Sequence, residues 1–186
     1  VWPELNVNVV STTEQWAGAA IAGPKSRDML SKLYPDLDVS NDALPFMGYK
    51  EADFFGVPSR IFRISFSGEL AYEINVKSDH GMFMWEKMME VGKEFGNQPY
   101  GTEALSTLRI EMGHVAGPEL DGRTIPSDVS LNGLVSKKKD FIGKNSLGRE
   151  AFNVESRQKI VGLIPIDRKS SICLLYTSDA ADELSS

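Results

Sequence analysis

The chain has 186 residues, of which 41% are hydrophobic, 25% charged and 9% aromatic, and carries a formal net charge of −6, the profile of an ordinary globular protein with length for one domain or one and a half. That composition excludes a disordered or collagen-like chain, and the acidic balance argues against a nucleic-acid partner, because such proteins gather Lys and Arg to displace counterions. No window approaches the run of roughly 18 apolar residues that a membrane helix needs, and the opening VWPELNVNVV lacks the order of a signal peptide, so a cytoplasmic location without a membrane partner is expected.

In chain order, Leu5, Val7 and Val9 alternate with Asn6, Asn8 and Val10, which predicts a half-buried strand, and Trp16 to Ile21 is a second apolar run of strand length. Gly23-Pro24 opens a helix in which Met29, Leu30 and Leu33 fall at helical spacing before Tyr34-Pro35 stops it. Phe46 to Phe54 and Val57 to Phe66 read as two strands joined by a turn at Gly56. Ser67-Gly68-Glu69 interrupts, and Ala71 to Val76 resumes as a strand. Ser78 and Asp79 suit the cap of a following helix, where Phe83, Met84, Met88, Val91 and Phe95 share one apolar face; this methionine-rich stripe reads as core rather than as a binding groove. Gly96-Asn97 ends that helix. Thr102 to Met112 is a shorter one with Leu105, Leu108 and Met112 inward, and an irregular stretch follows down to Asp128. Ile160 to Ile166 reads as one more strand. Trp16 and Trp85 are expected in the core.

The last stretch, Cys173 to Glu183, resembles the translation of a synthetic transposase adapter, so residues 173–186 are expected to be read-through and are set apart from the fold. Removing its three acidic residues moves the formal charge from −6 to −3, and the single cysteine goes with it. With one thiol there is no disulfide and no thiolate zinc set, and His80 and His114 approach no metal-ligand spacing, so no metal is expected. The interleaving of strands and helices lacks the regular alternation of a doubly wound sheet and favours an α+β layered domain.

The sequence has no nucleophile elbow, no phosphate loop and no GxGxxG. What stands out is Glu73, the one ionisable residue within Ala71-Tyr72-Glu73-Ile74-Asn75-Val76. Alternation puts Tyr72, Ile74 and Val76 on one face and Glu73 and Asn75 on the other. That second face is either wet or holds a carboxylate that accepts paired N–H donors from a flat heterocycle. Arg109 suits a carboxylate ligand or a pairing with Glu103 or Glu111 along its helix. Lys137-Lys138-Lys139, the only basic run, suits a polyanionic tail or a solvated loop, and His114 sits beside Gly113 in a flexible stretch.

Gly23-Pro24-Lys25-Ser26, Arg63 to Ile74 (RISFSGELAYEI), Leu108 to Gly113 (LRIEMG) and Phe141-Ile142-Gly143-Lys144, in that order, resemble the folate-binding glycine-cleavage T-protein superfamily. Pro45 to Tyr49, Tyr100 to Ala104 and Ser136 to Lys139 are most similar to its sarcosine oxidase alpha-subunit branch. The resemblance covers residues 1–172. It implies a folate-binding domain over 1–152 and, over 153–172, the first strand of a small antiparallel β-barrel. It further implies tetrahydrofolate as ligand, with Glu73 holding the pterin N–H groups, Phe66 walling the ring, and Tyr72 and Arg109 in the same site. The implied activity is capture by tetrahydrofolate of the one-carbon unit released when sarcosine is oxidatively demethylated, giving glycine, methylenetetrahydrofolate and hydrogen peroxide. FAD, FMN and NAD, with beta, gamma and delta subunits as partners, are implied for the parent complex only. The family's catalytic aspartate is expected upstream of Val1, as is a dinucleotide-binding region, so no catalytic residue is assigned and the fragment alone is expected to be inactive. Leu105 stands where T-proteins carry an arginine, which disfavours an aminomethyltransferase. That activity, a dimethylglycine dehydrogenase-type domain, a folate module without one-carbon chemistry and a purely structural part of a subunit are the alternatives.

Overall fold

A computed structural model describes residues 4–170, which fall into two compact units divided between His114 and Val115. The adapter-like residues 173–186 lie outside the described part.

The first unit is built on a four-stranded antiparallel sheet of order β1-β4-β3-β2, comprising β1 (Trp16–Ala22), β2 (Tyr49–Phe54), β3 (Val57–Phe62) and β4 (Ala71–Lys77). After β1 the chain turns at Gly23, whose φ of 122° suits glycine, and enters α1 (Ser26–Leu33). The turn is tied to the sheet by Gly23 N and Ser26 Oγ, both donating to the Leu70 carbonyl, at 2.9 and 2.7 Å. Ser26, Met29, Leu30 and Leu33 are the buried side of α1, the helical spacing expected from the sequence. Strands β2 and β3 are joined through Phe55 and Gly56, both at positive φ (52° and 90°), as a two-residue hairpin turn requires.

Alternation sorts the sheet into two faces. Ala17, Ala19 and Ile21 of β1, Tyr72, Ile74 and Val76 of β4, Val57, Ser59 and Ile61 of β3 and Phe54 of β2 point to the side covered by α1 and α2 (Gly81–Gly92). Met84 and Met88 of α2 are buried there, with Phe83, Val91 and Phe95 packed around them. The Tyr34 hydroxyl pairs with Ser59 Oγ at 2.9 Å inside this core, and burial pushes it well above the ordinary phenol range. Gly81 lies so close to β1 that a Cβ built on it would stand 2.7 Å from that of Ala17, which leaves no room for a side chain where α2 starts. The helix runs on through a tight turn at Lys93–Phe95 and stops at Gly96, φ 72°. α3 (Thr102–Met112) ends at Gly113, φ 78°, where the Gly113 and His114 N–H groups donate back to the Ile110 and Arg109 carbonyls, respectively.

The second unit, residues 115–170, is mostly turns with one short helix, α4 (Lys144–Leu147). It is organised around Asp128, whose carboxylate accepts Arg157 Nε at 2.9 Å, pairs with Arg157 Nη2 and accepts the Ile125 N–H at 3.0 Å. Its backbone carbonyl accepts the Ile160 N–H at 2.7 Å. The Arg157 side chain, aided by the Ile125 N–H, holds the Asp128 carboxyl down at about 2.

Several sequence expectations are corrected. Leu5 to Val10 form no strand and are exposed, Val9 to 94%: alternation calls for a partner strand, and none lies beside them among the described residues. For the same reason Ile160, Val161, Leu163, Ile164 and Ile166 are exposed and the segment is irregular, with no strand among the described residues there. The first hairpin is shorter than expected, since β2 starts at Tyr49 and β3 ends at Phe62. Residues Ser78–His80 make a 3-10 turn into α2, and neither Ser78 nor Asp79 makes a side-chain cap bond. Met112 is exposed rather than inward, and the buried residue of α3 is Arg109. Trp85 is exposed, and Trp16 is half-buried on the sheet face away from the helices, so neither is core.

Candidate functional site

The sheet face turned away from α1 and α2 carries the polar side chains. Register sets them in rows across the strands: Trp16 beside Lys77; then Gly18, Asn75, Arg60 and Glu51; then Ala20, Glu73, Phe62 and Tyr49. Neighbouring strands stand about 4.8 Å apart and alternate residues of a strand about 6.6 Å apart, so these rows form a shallow grid.

Glu73 lies on β4, one of the two inner strands of the sheet. It is half-buried and, among the described residues, its carboxylate makes no hydrogen bond or ion pair. On its β1 side stands Ala20, whose lack of bulk leaves that side open, and diagonally Gly18. On its β3 side stands Phe62, in ring contact with Tyr49 at 5.0 Å. The Asn75 amide leans over Gly18, since a Cβ there would meet Asn75 Oδ1 at 2.7 Å. A half-buried carboxylate without a protein donor, flanked by one aromatic wall and one open side, is arranged to accept N–H groups from a flat ligand.

The four residues assigned from the resemblance are not brought together. Tyr72 is paired with Ile21 on the opposite face, fully buried in the core, and its hydroxyl has no hydrogen-bond partner there. It cannot face the same ligand as Glu73, because consecutive strand residues point to opposite sides. Phe66 lies beyond the end of β3, 39% exposed, with its ring edge-on to His114 at 4.7 Å. Arg109 is 8% exposed, and its Nη1 donates to the His114 carbonyl at 3.3 Å. Phe66 and Arg109 therefore meet around His114, while Glu73 belongs to the grid. The lysine triplet is exposed; the Lys138 and Lys139 N–H groups donate to Ser136 Oγ. Leu105 is half-buried and lines a cavity of about 600 Å³ that runs along the outer edge of β1, past Gly18 and Ala20 to Met88, Phe95 and Tyr100. Glu73 does not line that cavity, so its neighbours rather than the cavity's volume define the candidate site.

Sequence reading missed Trp16, Gly18, Ala20 and Arg60 as parts of one surface. The signal was there in part: in Trp16-Ala17-Gly18-Ala19-Ala20-Ile21-Ala22 every second residue after Trp16 is Gly or Ala, which marks a strand face kept free of bulk.

Residues 2–139 match the model of the GCVT N-terminal domain. The chain is 48% identical over 168 residues to a sarcosine oxidase subunit alpha of Corynebacterium sp. strain P-1, covering 89% of this chain and 17% of that protein. It is 45% identical over 174 residues to the corresponding subunit of Rhizobium meliloti, covering 92% of this chain and 18% of that protein. To an aminomethyltransferase of Chloroherpeton thalassium it is 33% identical over 162 residues, covering 86% of this chain and 43% of that protein. The chain thus spans less than a fifth of the length of the sarcosine oxidase relatives.

Proposed function

The chain belongs to the GCVT N-terminal domain family, and from that premise we propose that it is the folate-binding part of a sarcosine oxidase alpha subunit. On this reading it binds tetrahydrofolate at Glu73 so that the folate receives the carbon released from the N-methyl group of sarcosine. The higher identity to sarcosine oxidase subunits than to the aminomethyltransferase supports that branch. FAD, FMN and NAD, and the beta, gamma and delta subunits, belong to the parent assembly on the same reading, in the cytoplasm. Among the described residues no helix is long and apolar enough to cross a membrane.

The observation that carries the proposal is the unpartnered Glu73 carboxylate beside the small residues of β1. Tetrahydrofolate, when bound, supplies the nitrogens that take up the one-carbon unit. The chain's own residues bind and orient. Glu73 accepts the amino and ring N–H groups of the pterin in a bidentate, charge-assisted pair. Phe62 gives the ring an apolar neighbour, and Ala20 keeps the β1 side of the carboxylate free of bulk.

Glu73→Gln presents a donor where an acceptor is required while keeping size and backbone. It should weaken binding of folinic acid, a stable reduced folate, by about 2 kcal/mol or more, without altering the fold. Calorimetric titration of the two proteins measures this, and superimposable isotherms would remove Glu73 from the site.

A further inference from the structure

The second unit holds a chemically reactive pair of residues. Of the asparagines in the chain, only Asn132 is followed by glycine. Both residues are exposed and sit in the 3-10 turn Asn132–Leu134, closed by Leu134 N donating to the Leu131 carbonyl at 3.0 Å and Val135 N donating to the Asn132 carbonyl at 3.1 Å. Among the described residues, neither the Asn132 side-chain amide nor the Gly133 N–H makes a hydrogen bond. Chain neighbours apart, nothing lies within 4 Å of the place a Cβ of Gly133 would take, so its nitrogen is open to approach. Ser130, just before the turn, is at φ 61°, left-handed backbone that disfavours a residue with a Cβ. A surface turn closed by two backbone bonds beside such a residue opens at little cost.

Comparable sites are held. Asp121 also precedes a glycine, but its carboxylate accepts Arg123 N and Thr124 Oγ1 at 2.9 Å each and Arg123 Nε at 2.8 Å. Those bonds, the Arg123 side chain first, hold it down at about 2, so near neutrality it is an anion that repels a nucleophile. Asn41 Oδ1 accepts Arg27 Nη2 at 2.6 Å, and Asn153 Nδ2 donates to the Arg149 carbonyl at 2.8 Å. Asn145 lies within α4 and is followed by Ser146.

We infer that Asn132-Gly133 is a site of spontaneous modification, at which the asparagine becomes an isoaspartyl or aspartyl residue. When the turn opens, the Gly133 nitrogen attacks Asn132 Cγ, an intramolecular step between groups already held close together. The N–Cγ bond forms and closes an imide ring, the Cγ–Nδ2 bond breaks, and ammonia leaves with the proton of the Gly133 N–H. Glycine favours the closure because no Cβ crowds its nitrogen. Water then opens the ring at one of its two carbonyls. Opening at Cγ leaves aspartate in an ordinary peptide link, whereas opening at the main-chain carbonyl routes the chain through the side chain and lengthens it by a methylene. Either product adds a negative charge. The isoaspartyl form also respaces Leu131 and Leu134, which line a cavity of about 370 Å³ with Phe141 and Leu147. The modification needs no ligand and does not depend on the proposed function.

The test incubates the 186-residue chain at mildly alkaline pH and follows its tryptic peptides by mass spectrometry, marking isoaspartate with an isoaspartyl methyltransferase and a labelled methyl donor. Peptide 124–137 has Asn132 as its one asparagine and peptide 110–123 has Asp121 as its one aspartate, so the two pairs are read separately. The parent form of 124–137 should be lost with time, gaining the mass difference between a hydroxyl and an amino group and taking up methyl label. Peptide 110–123 and the peptides bearing Asn41 and Asn145 should stay largely unchanged. Asn132→Gln should abolish the change. Gly133→Ala, for which there is room and no positive φ to oppose it, should slow it severalfold while keeping the circular dichroism of the parent. Modification of 124–137 only in urea-unfolded chain would mean that the turn protects the pair, and would overturn the site. Faster modification at Asn41 or Asn145, or a Gly133→Ala rate equal to the parent's, would overturn it as well.

Discussion

Tyr72 and Glu73 are consecutive in the chain and have opposite surroundings, one in the core and one on the open face. The buried Tyr72 hydroxyl has given up water without gaining a partner, and such a group costs more than it contributes. Tyr72→Phe should therefore raise the free energy of unfolding in urea by about 1 kcal/mol and leave folinic acid affinity unchanged. A loss of affinity would mean that the phenol reaches the ligand. Glu73 was legible in the sequence because a lone charge in an apolar strand contrasts with its neighbours. The face of β1 was not, because a run of Ala and Gly offers no polarity contrast from which to tell inward from outward. Phe66 was assigned from the resemblance and lies beyond Phe62, where β3 ends, and a pairing of Arg109 with Glu103 or Glu111 was expected while the carbonyl it meets comes from the next turn of chain, at His114.

Among the elements, those whose periodicity is answered by a partner were readable: β1, β4, α1, α2 and α3 lie where apolar spacing and Gly or Pro punctuation put them. Leu5 to Val10 and Ile160 to Ile166 have the same alternation without a neighbouring strand among the described residues, and alternation alone satisfies no backbone group. In the second unit one ion pair does the organising that a sheet does in the first. The Asp128 carboxyl, held at about 2 by Arg157 and the Ile125 N–H, lies below the ordinary carboxylate range near 4. Its contribution to stability is thus complete above about pH 4 and is lost as the pH falls through about 2. Acid titration followed by the amide signals of Ile125 and Ile160 should show this unit loosening over that window. Asp128→Asn should be loosened already at neutral pH and show little further change in acid; a variant with the parent's acid transition would assign the transition to another group.

At the scale of the whole first unit, β2, β3 and β4 follow one another through short connections, whereas β1 reaches β4 across about 50 residues of chain. Local pairings form early and distant ones late, because the entropy of closing the loop is lost before the contacts form. β1 and β2 are the two edge strands of the described sheet, and because β1 alone is held across the long loop, its amides should be the first of the four strands to exchange hydrogen with solvent. Folinic acid should slow exchange in β1 more than in β2, and equal slowing in both would argue against a site that includes β1. Gly18 and Ala20 are on β1 while Glu73 is on β4, so the candidate site exists only when the long loop is closed. A ligand lying across those two strands acts as a reversible cross-link: it removes from the ensemble the states in which the loop is open, as a covalent bridge at the same two positions would.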